Sequence, residues 1–349
     1  MHWHCHNLFN RMPQGAVAGG IAVVIDVLRA STTIVTALAH GAAGVRPVLT
    51  VEAARALAAG FGSISGSGAL LGGERGGLRI DGFDLGNSPL EYSRARVAGR
   101  RIVITTTNGT AALDACTAAS EVLIGAIVNR AAVAARAWDL ARSRGIADIH
   151  LVCAGTDGEV TEEDLLTAGA ILDAAGRLPG ADGDVLDASA TAALEVFRGV
   201  LSPPTAEGRA DAHAIAAAIT SAFATSRGGR NLIELGMQAD LPAAAAIDSL
   251  RVVPRLDCGA REDDAVAGWL HADAADPACG GPRRGGLTTL LGLGTETGRL
   301  RSDVLFNTVP HTELTCSWTN KTTSRGWIGS CRSPSGAASS FSRARSMVA

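Results

Sequence analysis

A carboxylate at the end of an apolar run, an arginine three residues later and a hydroxyl cluster opening a helix stand together in Val23–Thr33, VVIDVLRASTT. The run Ile21–Ile25 reads as a strand buried on both faces, where a lone charge is costly unless it is neutralised, hydrogen-bonded or bound to a cation. Asp26 therefore needs a partner. Ile34–Leu38 fit a helix packed on that strand, which places Ser31, Thr32 and Thr33 near its N-terminus, where free backbone N–H groups and the helix dipole favour an anion. Asp26 with Arg29 and this helix start points to phosphate chemistry.

Three further motifs supply partners. In Gly72–Arg75, GGER, Glu74 is a candidate metal ligand and Arg75 an anion holder; standing alone the motif equally fits a solvated turn with a surface ion pair. In Thr105–Thr110, TTTNGT, the hydroxyls and N–H groups of Thr107, Asn108, Gly109 and Thr110 suit a phosphate cradle, and three successive threonines exceed what a helix cap requires. In Thr161–Leu165, TEEDL, Thr161 caps a helix whose first turn holds Glu162, Glu163 and Asp164, which the helix dipole alone would favour. Magnesium takes oxygen ligands from few carboxylates plus water and phosphate, so Asp26, Glu74 and either Glu163 or Asp164 would suffice to hold it. His2, His4, Cys5 and His6 look like a metal cluster, but they sit at a terminus expected to fray and lack a spaced second pair of ligands.

These motifs need a layered scaffold. From about residue 20 to 258, apolar strand-like runs alternate with alanine-rich helical patterns, which predicts an α/β fold with a largely parallel or mixed sheet and a site at the carboxyl ends of its strands. GGIAVVID, GRRIVITTTNGT and ADIHLVCAGTDG each end in a polar or glycine-rich corner ahead of a helix. LGGERGG and GFDLGNSPLEY, with Asn87 in the second, read as functional loops, and so does SRGGRNL at 226–232. Residues 1–19 form a separate N-terminal segment on this reading. Beyond Cys258 the texture turns to serine, threonine, glycine and arginine and the charge balance changes sign, so 259–349 reads as a low-order tail outside the fold.

Composition narrows the function classes. A net charge of -3, a single lysine and 4% aromatic residues offer neither a basic field nor stacking platforms for nucleic acid. Seven scattered cysteines make no CxxC pair, and no apolar run is long enough for a membrane span or signal core, so a cytoplasmic protein with no membrane partner is expected. A homo-oligomer is compatible with the sequence. Walker, GxGxxG and GxSxG patterns are absent, which counts against an NTPase, a dinucleotide enzyme and a serine hydrolase. Asp26 is followed by Val27 and Leu28, so the DxD of haloacid dehalogenase phosphatases is missing too.

Taken in order, VVIDVLRASTT, LGGERGG, GFDLGNSPLEY, TTTNGT and CAGTDGEVTEEDLLTAGA resemble the magnesium-dependent 2-phosphosulfolactate phosphatases of coenzyme M biosynthesis, over about residues 20–257. The resemblance implies a three-layer α/β/α fold and Mg2+-dependent hydrolysis of a small anionic phosphate ester, with sulfolactate as the leaving alcohol. On that basis Asp26, Arg29 and Arg75 are expected to be catalytic. Thr32, Thr33, Asn87, Thr107, Asn108, Gly109 and Thr110 are expected to bind substrate, and Asp26, Glu74, Glu163 and Asp164 to lie at the metal. Two alternatives stay open: the same fold acting on another phosphorylated 2-hydroxy acid, and a phosphometabolite-binding protein without turnover.

Overall fold

The computed structural model describes residues 1–65, 68–201, 212–257 and 268–273, and three short strands further on. The first half of the main unit runs β1 (His2–His6), β2 (Ile21–Ile25), α1 (Ala30–Ala39), β3 (Gly44–Pro47), α2 (Val51–Ser65), β4 (Leu70–Arg75), β5 (Leu78–Arg79), α3 (Arg94–Val97) and β6 (Arg101–Thr105). It continues with α4 (Gly109–Ala115), β7 (Glu121–Ile124), α5 (Arg130–Arg144), β8 (Asp148–Cys153), α6 (Glu162–Ala175), β9 (Val185–Leu186) and α7 (Ala188–Val200). It ends with α8 (Ala212–Thr225), α9 (Arg227–Glu234), α10 (Asp240–Ala244), β10 (Pro254–Leu256) and β11 (Leu270–Ala272). Among the described residues, no helix is long and apolar enough to cross a membrane.

The strands form one mixed sheet in the order β5-β4-β6-β3-β11-β10-β7-β2-β8-β1-β9. Two parallel blocks, β4-β6-β3 and β7-β2-β8-β1-β9, are bridged by the antiparallel pair β10–β11, which touches each block through one residue pair, Arg255 with Leu123 and Leu270 with Val45. Strand β2 is buried along its whole length because helices cover both faces. Its pleat divides it between two cores. Ala22 and Val24 pack with Ile34 and Leu38 of α1, whereas Ile21, Val23 and Ile25 pack with Val133 and Ala137 of α5 and Ile171 of α6. That division is the three-layer α/β/α arrangement.

The structure departs from the sequence reading in three places. The N-terminus is a strand of the sheet: β1 pairs in parallel with β8 from His2–Asp148 to His6–Val152, and its alternation buries Trp3 and Cys5 in the core. The fold also extends past residue 258, since β11 fills the seam between the blocks and Trp269 joins a small core with Ala54, Phe83 and Val103. Finally, SRGGRNL is helical, because Ser226 caps α9 by accepting a hydrogen bond from the Gly229 N–H. Most of the predicted tail lies outside the described residues. Within the separate unit Gly285–Ala349, strands Cys316–Trp318, Gly329–Arg332 and Ala338–Ser340 form an antiparallel sheet.

The histidines of β1 do pair, but with each other's neighbours on β8. His150 stacks between His4 and His6, at ring-centroid distances of 4.8 and 5.3 Å, and its Nδ1 lies 3.1 Å from His6 Nε2. Asp148 and Asp187 face His4 from β8 and from the start of α7. Burial, followed by the neighbouring His6 and His4, pushes His150 down to about 4; burial likewise lowers His6. The unfolded chain therefore takes up these protons first as pH falls below about 6.5, and the stability from the neutral pair is lost between there and about 4. Wild type should accordingly lose Tm relative to His150→Phe in melts taken from pH 7.5 down to 5, and parallel curves would contradict this.

Candidate active site

Asp26 leaves β2 into a corner built by its own main chain. Ser31 closes it: the Asp26 N–H donates to Ser31 Oγ at 2.9 Å, and the Ser31 N–H donates to the Asp26 carbonyl at 2.8 Å. Thr32 and Thr33, fully buried, spend their hydroxyls on the carbonyls of Val27 and Asn87 at 2.8 and 2.7 Å. They hold the surrounding loops, which corrects the expectation that they face a ligand. The Asp26 carboxylate accepts one long bond, 3.3 Å from the Ala30 N–H, and borders the cavity.

The strand β4 separates Glu74 from Arg75. Consecutive strand residues point to opposite faces, so only one member of the pair can reach the cavity. It is Glu74. Its Oε1 accepts the Thr107 N–H at 2.7 Å, and its Oε2 accepts the Gly77 N–H at 2.8 Å and the Thr107 hydroxyl at 3.2 Å. Arg75 instead donates to the Glu74 and Leu49 carbonyls and to Thr105 Oγ1, outside the cavity lining, so its predicted catalytic place is corrected to bracing the β4–β6 ends. In the first turn of α4, Thr110 is likewise internal, donating its N–H to Thr106 Oγ1 and its hydroxyl to the Thr106 carbonyl. Gly109 allows close approach: a Cβ there would sit 2.7 Å from both Asp26 Oδ2 and Ala30 Cβ. Gly109→Ala should therefore displace Asp26 and lower kcat/KM by about tenfold or more, read by steady-state kinetics.

The first turn of α6 supplies two buried carboxylates with different surroundings. Asp164 accepts the N–H groups of Val27 and Gly155 at 2.9 Å each, one per oxygen, and so ties the corner after β2 to the corner after β8. Glu163 accepts the Gly228 N–H at 3.1 Å through Oε1. Its Oε2 is buried with no geometric hydrogen-bond partner among the described residues, and the nearby Ser226 hydroxyl donates to the Phe223 carbonyl. Burial raises the proton affinity of Asp26, Glu163 and Asp164 alike. For Asp26, burial acts first and the Glu74 carboxylate second, and the group is pushed up to about 7. Asp26 and Glu163 further raise Asp164.

These corners converge on a cavity of about 300 Å³. Of the expected site residues, Asp26, Arg29, Glu74, Asn87, Thr107 and Asn108 line it; Glu163 and Asp164 stand behind Asp26. Sequence reasoning missed Thr156 and Asp157 from the turn after β8, and Asn231 and Glu234 from α9. The Ser226 cap was the available signal for α9, since a capped helix start next to a glycine pair can approach a carboxylate closely. Asp26, Glu74, Asp157 and Glu234 line the cavity together with one guanidinium, Arg29, which is ion-paired with Asp240 at 2.8 Å; Asp157 pairs with Arg227 at 3.1 Å.

Comparison with known proteins agrees with the motif order. Residues 7–259 match the family model described as 2-phosphosulpholactate phosphatase. A protein of Deinococcus radiodurans named probable 2-phosphosulfolactate phosphatase is 42% identical over 253 residues, 72% of this chain and 92% of the relative. A protein of the same name from Symbiobacterium thermophilum is 40% identical over 248 residues, 71% of this chain and 95% of the relative. With an α/β/α sheet whose corners carry the ordered motifs, and relatives matched over nearly their full length, the chain belongs to the 2-phosphosulfolactate phosphatase family.

Proposed function

We propose that this protein hydrolyses the phosphate ester of a small acidic 2-hydroxy acid, with 2-phosphosulfolactate as first candidate, and uses Mg2+ near the lining carboxylates Asp26 and Glu74; no three His, Cys, Asp or Glu side chains among the described residues form a metal-binding group, so water and substrate oxygens would complete its ligands. The observation that carries the reading is a cavity lined by Asp26, Glu74, Asp157 and Glu234, whose lining guanidinium Arg29 is already paired with Asp240 while Arg227 pairs with Asp157, beside a buried Glu163 oxygen with no hydrogen-bond partner among the described residues. A donor set made of carboxylate oxygens suits a hard divalent cation. Asp164, both of whose oxygens accept backbone N–H groups, ties the corner after β2 to the corner after β8. The family and the names of the relatives support the phosphatase class and the substrate.

When bound, Mg2+ would offset phosphate charge and orient the attacking water. The chain's own groups do the rest. Arg29 has five N–H protons, of which three are engaged, leaving Nε and one Nη2 proton for phosphate oxygens. Asn108 offers a neutral donor in the same lining, and Asn87 and Asn231 can hold the acid end. Water adds to phosphorus, the ester P–O bond breaks, and a proton from the water ends on the departing oxygen, giving the alcohol and inorganic phosphate.

The test is phosphate release from a panel of 2-phospho-hydroxy acids that includes 2-phosphosulfolactate, with Mg2+ and with EDTA. The expected result is Mg2+-dependent turnover with the highest kcat/KM on 2-phosphosulfolactate. Equal turnover in EDTA would remove the metal from the scheme, and a preference for another panel member would reassign the substrate. Binding without any release would favour a non-catalytic role.

A further inference from the structure

We infer that Asp240, which does not line the cavity, is a positioning residue for Arg29 and thereby sets the phosphate subsite; this rests on the phosphatase reading above. Asp240 lies at the start of α10. Its Oδ2 accepts from Arg29 Nη1 at 2.8 Å, with both side chains 3% exposed. Its Oδ1 accepts from the Ser88 hydroxyl at 2.5 Å. The second Nη1 proton is aimed at Met237 Sδ, and Nη2 donates to the Gly77 carbonyl at 2.6 Å.

The pattern fixes which part of the guanidinium is free. Nη1 is fully used and Nη2 half used, while Nε has no partner among the described residues, although Arg29 borders the cavity. Without Asp240 the fork could rotate about its long side chain or be drawn onto Asp26 and Glu74, which line the same cavity. With Asp240 in place that rotation is blocked, and its charge is answered from behind, so the free protons remain available to an incoming oxyanion. Ser88 extends the linkage to the loop that carries Asn87, another lining residue. Asp240 thus couples α1, the turn at Gly77 and the loop at Ser88 around one guanidinium.

The test is a cycle of Asp240→Asn, Arg29→Gln and the double variant, each measured for kcat/KM and, independently of turnover, for affinity to inorganic phosphate in the presence of Mg2+. Asp240→Asn should lower kcat/KM about 10–100-fold, mainly through KM, and weaken phosphate binding at least tenfold. In the Arg29→Gln background the same change should have almost no further effect, because Asp240 acts through Arg29. The double variant removes both buried charges together, so it stays folded even where a single change leaves one charge unpaired. Undiminished phosphate affinity in Asp240→Asn, or equal losses in the two backgrounds, would overturn the inference. If wild type releases phosphate from no ester on the panel, the function proposal falls, and phosphate affinity still judges Asp240.

Discussion

Asp26→Asn is expected to lower kcat/KM by about a thousandfold or more and, in the absence of metal, to make the protein more stable at pH 8. The two effects come from one arrangement. Asp26 is 9% exposed, accepts a single long hydrogen bond and faces Glu74 and Glu163, so its ionised form is costly to keep in the folded chain. Its affinity for a proton rises to a pKa of about 7 from an ordinary value of 3.8. A carboxylate with a raised pKa contributes its stability below the unfolded value and loses it as pH rises through the folded one. The metal-free wild type therefore gives up stability between about pH 4 and 7, on the order of 1–4 kcal/mol in all. Asparagine is nearly the same size and never ionises, so the variant keeps that stability. The loss of turnover follows from removing the charge that a cation would need at the centre of the site, an effect comparable to removing a principal electrostatic group elsewhere. Melts of both proteins in EDTA at pH 8, with turnover assayed in Mg2+, check the pair of outcomes; an active Asn variant would displace Asp26 from the chemistry.

Mg2+ should raise the Tm of wild type by about 5–10 °C at a concentration near a hundred times Kd, and EDTA should reverse the shift. A ligand at that excess stabilises by about 2.7 kcal/mol, and a domain of this size moves roughly 2–4 °C per kcal/mol. The increment should be largest at pH 8 and shrink towards pH 5. Asp26 and Glu163, both raised by burial, then hold protons that a cation would have to displace. The histidines of β1 and β8 act in the opposite direction on absolute stability, since their neutral pair is lost on acidification. Because they lie at the β1–β8 pairing and not in the cavity lining, they act alike with and without metal, and the difference between the two melting curves isolates the carboxylates. A metal increment that stays flat with pH, or that persists in a Glu163→Gln and Asp26→Asn double variant, would place the ion elsewhere.

Much of the site was legible because its chemistry is local in sequence. A charged residue closing a fully apolar strand, as Asp26 closes β2, needs an explanation whatever the fold, and TEEDL marks a helix start at Thr161 that the structure places there. What misled was the assumption that a motif works as a block. GGER became a strand in which the pleat sends Glu74 inward and Arg75 outward, and the hydroxyls of Thr32, Thr33 and Thr110 went to main-chain carbonyls that their corners leave open. The N-terminal strand was missed because HWHCH carries few apolar residues; only Trp3 and Cys5 face the core, and the histidines find partners on β8. Strand β11 was hidden for a similar reason, being three residues long in a segment of low apolar alternation.

The sequence by itself determined the α/β class, the family and the residue types of the site, since buried strands, capped helices and ordered motifs are properties of short stretches read one at a time. Only the tertiary structure decided which carboxylates share a cavity, that Arg29 is held by Asp240 two hundred residues away, and that Glu163 keeps an oxygen free where Asp164 does not. Charge compensation and hydrogen-bond satisfaction depend on distances across the sheet, and side chains that meet at strand ends from separate blocks leave no mark in their own neighbourhoods of sequence.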